Sequence, residues 1–139
     1  MRPYRGQRID NGEWVNGFHL FIDGQHYIYA PIEGFCSYNF NGEDREFIFA
    51  DNFIEVHPKT VGQSIGLKDK NDKDGWKADI VKGIHKTTSE EITGEIVWDD
   101  RFYLWGVQLE DWTMPFKCLI DCYDFEIIGN IHENPELLK

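Results

Sequence analysis

Turn pairs constrain this chain more than any other feature of its sequence. Asn11-Gly12, Asp23-Gly24 and Asn41-Gly42 each stand between short runs rich in aromatic and β-branched side chains. A type I′ hairpin turn needs positive φ at both central residues, which Asn, Asp and Gly tolerate best. Punctuation this dense leaves no room for a helix of ordinary length and calls for antiparallel hairpins. A hairpin is therefore expected over residues 8–15, turning at Asn11-Gly12. Strands are expected over 18–22, 26–30, 35–40, 46–49 and 53–56. At 53–56, Phe53 and Glu55 face one way and Ile54 and Val56 the other.

The second half repeats this texture. Strands are expected at 79–84, 94–98 and 102–109, the last two joined through Asp99-Asp100. The short apolar run from Cys118 to Cys122 reads as a strand with both thiols in the core, and 123–131 as the strand that closes the sheet. Asn134-Pro135-Glu136 reads as a single helical turn with Asn as its cap and Pro at its first position. Between the halves, residues 60–83 carry a Lys- and Asp-dense loop and read as a solvated, charged connector. Short strands at this spacing suit a meander that closes on itself.

Composition bounds the function. The 139 residues suit one domain or two small subdomains. Their net charge of −11 argues against a general phosphate-binding surface, because such affinity comes from Lys and Arg displacing counterions. Arg2, Arg5 and Arg8 are the one basic cluster, and they define an alternative reading as a barrel that binds single-stranded nucleic acid. No apolar run is long enough for a membrane span, and no apolar leader opens the sequence. With Cys36, Cys118 and Cys122 too few for an even disulfide framework, a reducing cytoplasm is expected.

Candidate chemistry is sparse. Setting Gly75 at the sixth position of a calcium loop places Lys70 first and Val81 twelfth, where a carboxylate is required. Cys118 and Cys122 supply half of a zinc site, but His19, His26, His57, His85 and His132 form no pair at short spacing. Gly62-x-x-x-Gly66 lacks the Lys-Ser/Thr of a phosphate loop. Asp99-Asp100 and Glu110-Asp111 read as turn residues, and no hydrolase signature surrounds Cys36, Ser37, Ser64 or Ser89. No cofactor and no metal are expected. The aromatic set is richer: Trp98, Tyr103, Trp105 and Trp112, with Trp76, fall in one half of the chain. Such residues build a small barrel's core or anchor a partner. Tyr103 and Trp105 are expected on one face of a strand, with Trp98 across the hairpin.

Three stretches carry a resemblance. G-L-K-D-K-N at 66–71, D-I-V-K at 79–82 and I-I-G-N-I-H-E-N-P-E-L-L at 127–138 resemble the YopX family of phage and prophage proteins, as does R-G-Q-R-I-D-N-G-E-W-V-N-G at 5–17. The resemblance implies a mostly β protein with an SH3-like barrel element and implies no activity. Two departures stand out. Asp72 and Ala78 occupy positions where the family pattern has Gly, so either positive φ is not needed before Asp79 or the turn there is redrawn.

The expected fold is all-β and mainly antiparallel: an N-terminal β-meander over residues 1–63, an SH3-like barrel over 64–139 and a helical turn at the C-terminus. The expected function is a non-catalytic module for protein interaction or assembly, through self-association or a protein partner, with Trp98, Tyr103, Trp105 and Trp112 as contacts. A nucleic-acid-binding barrel and an uncharacterised enzyme are the alternatives.

Overall fold

The computed structural model describes residues 2–30, 37–40, 43–46 and 53–138. The Asn41-Gly42 turn, Cys36 and most of the strand expected at 46–49 lie outside them. The chain is mostly antiparallel β, as its turns predict, and divides into two compact units, residues 3–62 and 63–139.

In the first unit, β1 (Tyr4–Gln7), β2 (Trp14–Ile22), β3 (Gln25–Tyr29) and β6 (Phe53–Glu55) lie side by side in the order β6-β3-β2-β1. Strands β4 (Ser37–Phe40) and β5 (Glu43–Glu46) form a separate hairpin. Asp23 (φ 51°) and Gly24 (φ 79°) are both left-handed, as a type I′ turn requires, and set Ile22 opposite Gln25. The Asn11-Gly12 turn departs from expectation. Gly12 is left-handed (φ 74°) but Asn11 is not. Arg8 N–H donates to the Glu13 carbonyl, Gly12 N–H to the Arg8 carbonyl, and Asn11 Oδ1 accepts Glu13 N–H. The Asn11 side chain thus does by hydrogen bonding what a second left-handed residue would have done. Ile28 and Val56 are buried. Thr60 fixes the end of β1: its hydroxyl accepts Gln7 N–H at 2.8 Å and donates to the His57 carbonyl at 2.7 Å.

The second unit contains β7 (Gly62–Lys68), β8 (Asp74–Trp76), β9 (Asp79–His85), β10 (Glu91–Asp99), β11 (Leu104–Gln108), β12 (Thr113–Pro115), helix α1 (Phe116–Cys122) and β13 (Tyr123–Asn130). Five of these strands form a sheet in the order β12-β11-β10-β9-β13, an arrangement compatible with an SH3-like element. Ile65, Val81, Ile96, Val107, Phe116, Leu119, Phe125 and Ile127 make its core. A short 3₁₀ turn, Pro135–Leu138, follows the sheet.

Three expectations are corrected here. Residues 118–122 are helical rather than extended. Phe116 and Leu119, three apart, are buried on one helical face, and both Cys118 and Cys122 are exposed. A strand would have placed Cys118, Ile120 and Cys122 together inward, but a helical period turns all three out. Strand β11 starts at Leu104 because Tyr103 is left-handed (φ 52°) and belongs to the turn. The supposed connector is a hairpin, β7–β8, whose tip is anchored.

The anchor is Asp69. Although it sits in the run K-D-K-N-D-K-D, its relative exposure is 7%. Its Oδ1 accepts the N–H groups of Asn71 (2.8 Å) and Lys73 (2.9 Å), which shapes the tip. Its Oδ2 accepts Ile127 N–H at 2.8 Å, and Lys70 N–H donates to the Phe125 carbonyl at 3.2 Å. Strand β13 is an edge of the five-stranded sheet, so the tip satisfies edge groups that would otherwise stay open. Burial pushes the Asp69 carboxyl up, but the hydrogen bonds from Ile127, Lys73 and Asn71, helped by the charge of Lys73, outweigh it and hold the group below its usual value.

The two Gly-replacing residues keep the backbone that Gly would have. Asp72 has φ 64° and Ala78 φ 75°. The idea that Ala78 dispenses with positive φ is therefore wrong. Its N–H donates to the Ile96 carbonyl (2.9 Å) and its carbonyl accepts Ile131 N–H (3.0 Å), and Asp79 Oδ2 accepts Trp76 N–H at 2.9 Å. These bonds hold a conformation disfavoured for a residue with a Cβ. Gly129 has a different reason to be Gly: a Cβ there would lie 2.5 Å from Asn134 Oδ1. The closing G-N-I-H-E-N is thus a folded unit, in which Asn130 Oδ1 accepts the N–H groups of His132 and Glu133.

Replacing Asp69 by Asn puts an amide among three N–H donors, and the expected cost is about 2–3 kcal/mol by urea denaturation at neutral pH. Because the folded carboxyl sits below the usual aspartate value of 3.8, the stabilisation is complete above that pH and fades as the pH falls through the folded value. The gap between wild type and D69N should therefore close in acid. Exposed Lys70 and Asp72 are the contrast: swapping their charges should change stability by less than about 0.5 kcal/mol.

At position 78, Ala78→Gly is expected to leave stability unchanged or raised. Ala78→Val, β-branched and left-handed, should lose more than about 2 kcal/mol in the same assay.

Candidate interaction site

The end of the β10–β11 hairpin displays aromatic side chains. Trp98 and Trp105 are directly opposed across the two strands, and their rings meet edge to face at 5.4 Å. Trp105 is half-buried and packs against the core, whereas Trp98 is 41% exposed. The two residues that lead into β11 are more open still: Phe102 is 68% and Tyr103 80% exposed. Trp112, in the turn between β11 and β12, is also exposed. Trp76 is buried.

The hairpin tip is held by one ion pair. Asp99 is buried; its Oδ1 accepts the N–H of Arg101 at 2.9 Å and its Nε–H at 3.2 Å, and its Oδ2 takes the terminal guanidinium nitrogen at 3.0 Å. The Arg101 hydrogen bond, outweighing burial, holds the Asp99 carboxyl below its usual range, and the same contact raises Arg101. The guanidinium also lies over the Phe102 ring, 5.6 Å from its centre. This turn chemistry follows from Asp-Asp-Arg: the first carboxylate caps the turn, and the second, Asp100, is left exposed.

A groove of about 480 Å³ runs beside this tip. Val97, Gln108 and Thr113 line it, Asp99, Asp100 and Arg101 flank one part, and Asp111 and Trp112 another. Thr113 Oγ1 donates to Gln108 Oε1 at 2.9 Å. Asp100 and Asp111 read from sequence as plain turn residues. Their common feature, an acid next to an aromatic-bearing turn, becomes informative only once β10, β11 and β12 lie in register.

The arginine cluster is differently employed. Arg8 is paired with Asp10 at 2.6 Å, and the Arg5 guanidinium sits 4.6 Å from the centre of the Trp14 ring. Arg2 is exposed. Two of the three side chains are thus engaged within the first unit.

Sequence spacing missed one pair of histidines. The β2–β3 register sets Phe21 opposite His26 and His19 opposite Ile28, so His19 and His26 are diagonal neighbours on one face. Their rings stack at 5.1 Å, and His19 Nε2 lies 2.8 Å from His26 Nδ1. Tyr4 and Phe21 extend the stack at its two ends. The turn at Asp23-Gly24 fixes this register, so the pair was legible from the turn. Burial lowers the His19 pKa, and the nearby His26 lowers it further. In the second unit, burial raises Glu95 on β10, with Lys77 opposing. Among the described residues, no group of three or more His, Cys, Asp or Glu is placed to hold a metal ion. No described helix is long and apolar enough to cross a membrane.

Comparison with known proteins follows the same lines. The model of the family described as "YopX protein" matches residues 3–139. Among solved structures, protein EF1440 from Enterococcus faecalis is similar to this chain, with 28% identity and a TM-score of 0.59, over 100% of this chain and 99% of that one. Curated proteins give no match.

The His19–His26 pair gives the first unit an acid-sensitive element. Because the folded His19 titrates below the usual histidine value of 6.5, the unfolded chain takes up its proton first and stability falls as pH drops below 6.5. His19→Phe should flatten thermal stability across this mildly acidic range, as followed by differential scanning calorimetry.

Proposed function

We propose an interaction role for this protein, which belongs to the YopX family. It is a non-catalytic module that binds a protein partner, or a second copy of itself, through the aromatic end of the β10–β11 hairpin and the adjoining β11–β12 turn. The observation that carries this reading is the exposure of Trp98, Phe102 and Tyr103 on a tip whose backbone is fixed by the Asp99–Arg101 pair, with Trp112 exposed in the adjoining β11–β12 turn. Large aromatic side chains supply most of the energy at protein interfaces, and a pre-ordered turn lowers the entropic cost of binding. Phage or prophage origin, and action in the cytoplasm of the bacterial host, complete the proposal.

The test is partner capture from lysogenic cells. Wild-type protein should retain a partner that the double variant Tyr103→Ala/Trp112→Ala loses, while circular dichroism shows both proteins folded alike. Sedimentation of the two proteins reads self-association in the same way. The reading fails if the variant captures the same proteins and sediments identically to wild type.

A further inference from the structure

Resting on the interaction reading above, we propose that the groove beside Trp112 receives a cationic side chain of the partner, an arginine in a basic segment. Three features of the groove favour a guanidinium. The Trp112 indole is 53% exposed and offers an aromatic face to a planar cation. The carboxylates of Asp100 and Asp111 line the same groove and make no ion pair with the described residues, whereas Asp99 is already neutralised by Arg101. Gln108 adds a side-chain oxygen at the groove wall. A guanidinium presents hydrogen-bond donors in a plane and no acceptor, so it matches acceptors beside a ring.

Other occupants fit less well. A wholly apolar segment would strip water from Asp100 and Asp111 without giving them a partner. A nucleic-acid strand could stack a base on Trp112, but its phosphates would lie near two carboxylates. The resident Arg101 does not reverse the sign of the groove, because its charge is matched by Asp99 at 3.0 Å. The chain's net charge of −11 acts in the same direction, drawing basic partners in at a rate that falls with salt.

The probe is a blocked peptide of alternating arginine and glycine, titrated into the full chain at low and at physiological salt. Nuclear magnetic resonance follows the indole N–H signals of the five tryptophans. The Trp112 signal is expected to move, and those of Trp14 and Trp76 to stay. Asp100→Asn/Asp111→Asn and, separately, Trp112→Ala should each weaken binding at least about tenfold. Asp124→Asn, an exposed acid on β13, should leave it within about twofold. Equal weakening by the Asp124 and Asp100/Asp111 variants would mean diffuse charge attraction and would overturn the proposal. So would an unmoved Trp112 signal, or a Trp112 shift produced by an oligothymidine and not by the peptide. If capture from lysogenic cells depends on Tyr103 and Trp112 while the peptide leaves Trp112 unmoved, only the cationic occupant is wrong. If neither capture nor sedimentation depends on those aromatics, the interaction reading falls with it.

Discussion

A buried carboxylate joins two distant parts of the second unit. Asp69 accepts hydrogen bonds from its own loop and from Ile127, fifty-eight positions along the chain. One side chain therefore sets the β7–β8 tip and closes part of the β13 edge. Open sheet edges invite pairing with other chains, so an acceptor supplied from a neighbouring loop also suppresses aggregation. The charged neighbours differ from Asp69 in kind. Lys68 pairs with Asp74 and Lys70 with Glu126 at exposed positions, where ion pairs contribute little.

The same economy explains residues that look arbitrary in sequence. Left-handed backbone persists at Asp72 and Ala78 although neither is Gly. At Ala78 the hydrogen bonds to Ile96 and Ile131 determine the conformation, and the side chain tolerates it. Gly129 is required by space, since the Asn134 side chain packs where its Cβ would be. The stretches that resemble the YopX family are therefore the joints of the fold. They identify the family, and the proposed interaction surface falls on other residues.

The proposed surface lies at the turns of the five-stranded sheet. Its core is shared among β7, β9, β10, β11, α1 and β13, and it consumes the inward face of each strand. Phe102, Tyr103 and Trp112 fall in turns, beyond the reach of that core. Phe102 and Tyr103 are left outside a complete core on a turn held by the buried Asp99 carboxylate and the exposed Arg101, which is why the proposed contact is placed there.

The sequence by itself determined the β character, the Asp23-Gly24 hairpin, the helical turn after Asn134 and the family resemblance. Each is local: a turn dipeptide, a proline at a first helical position or a short motif fixes backbone angles without distant help. Tertiary structure alone decided the rest. The run 118–122 is too short for period to distinguish helix from strand, and burial of Phe116 and Leu119 settled it. Asp69 reads as one acid among many until β13 brings Ile127 N–H to it. Asp100, Asp111 and Trp112 share a groove only when β10, β11 and β12 are paired. Side chains far apart along a chain acquire their chemistry from neighbours that long-range pairing supplies.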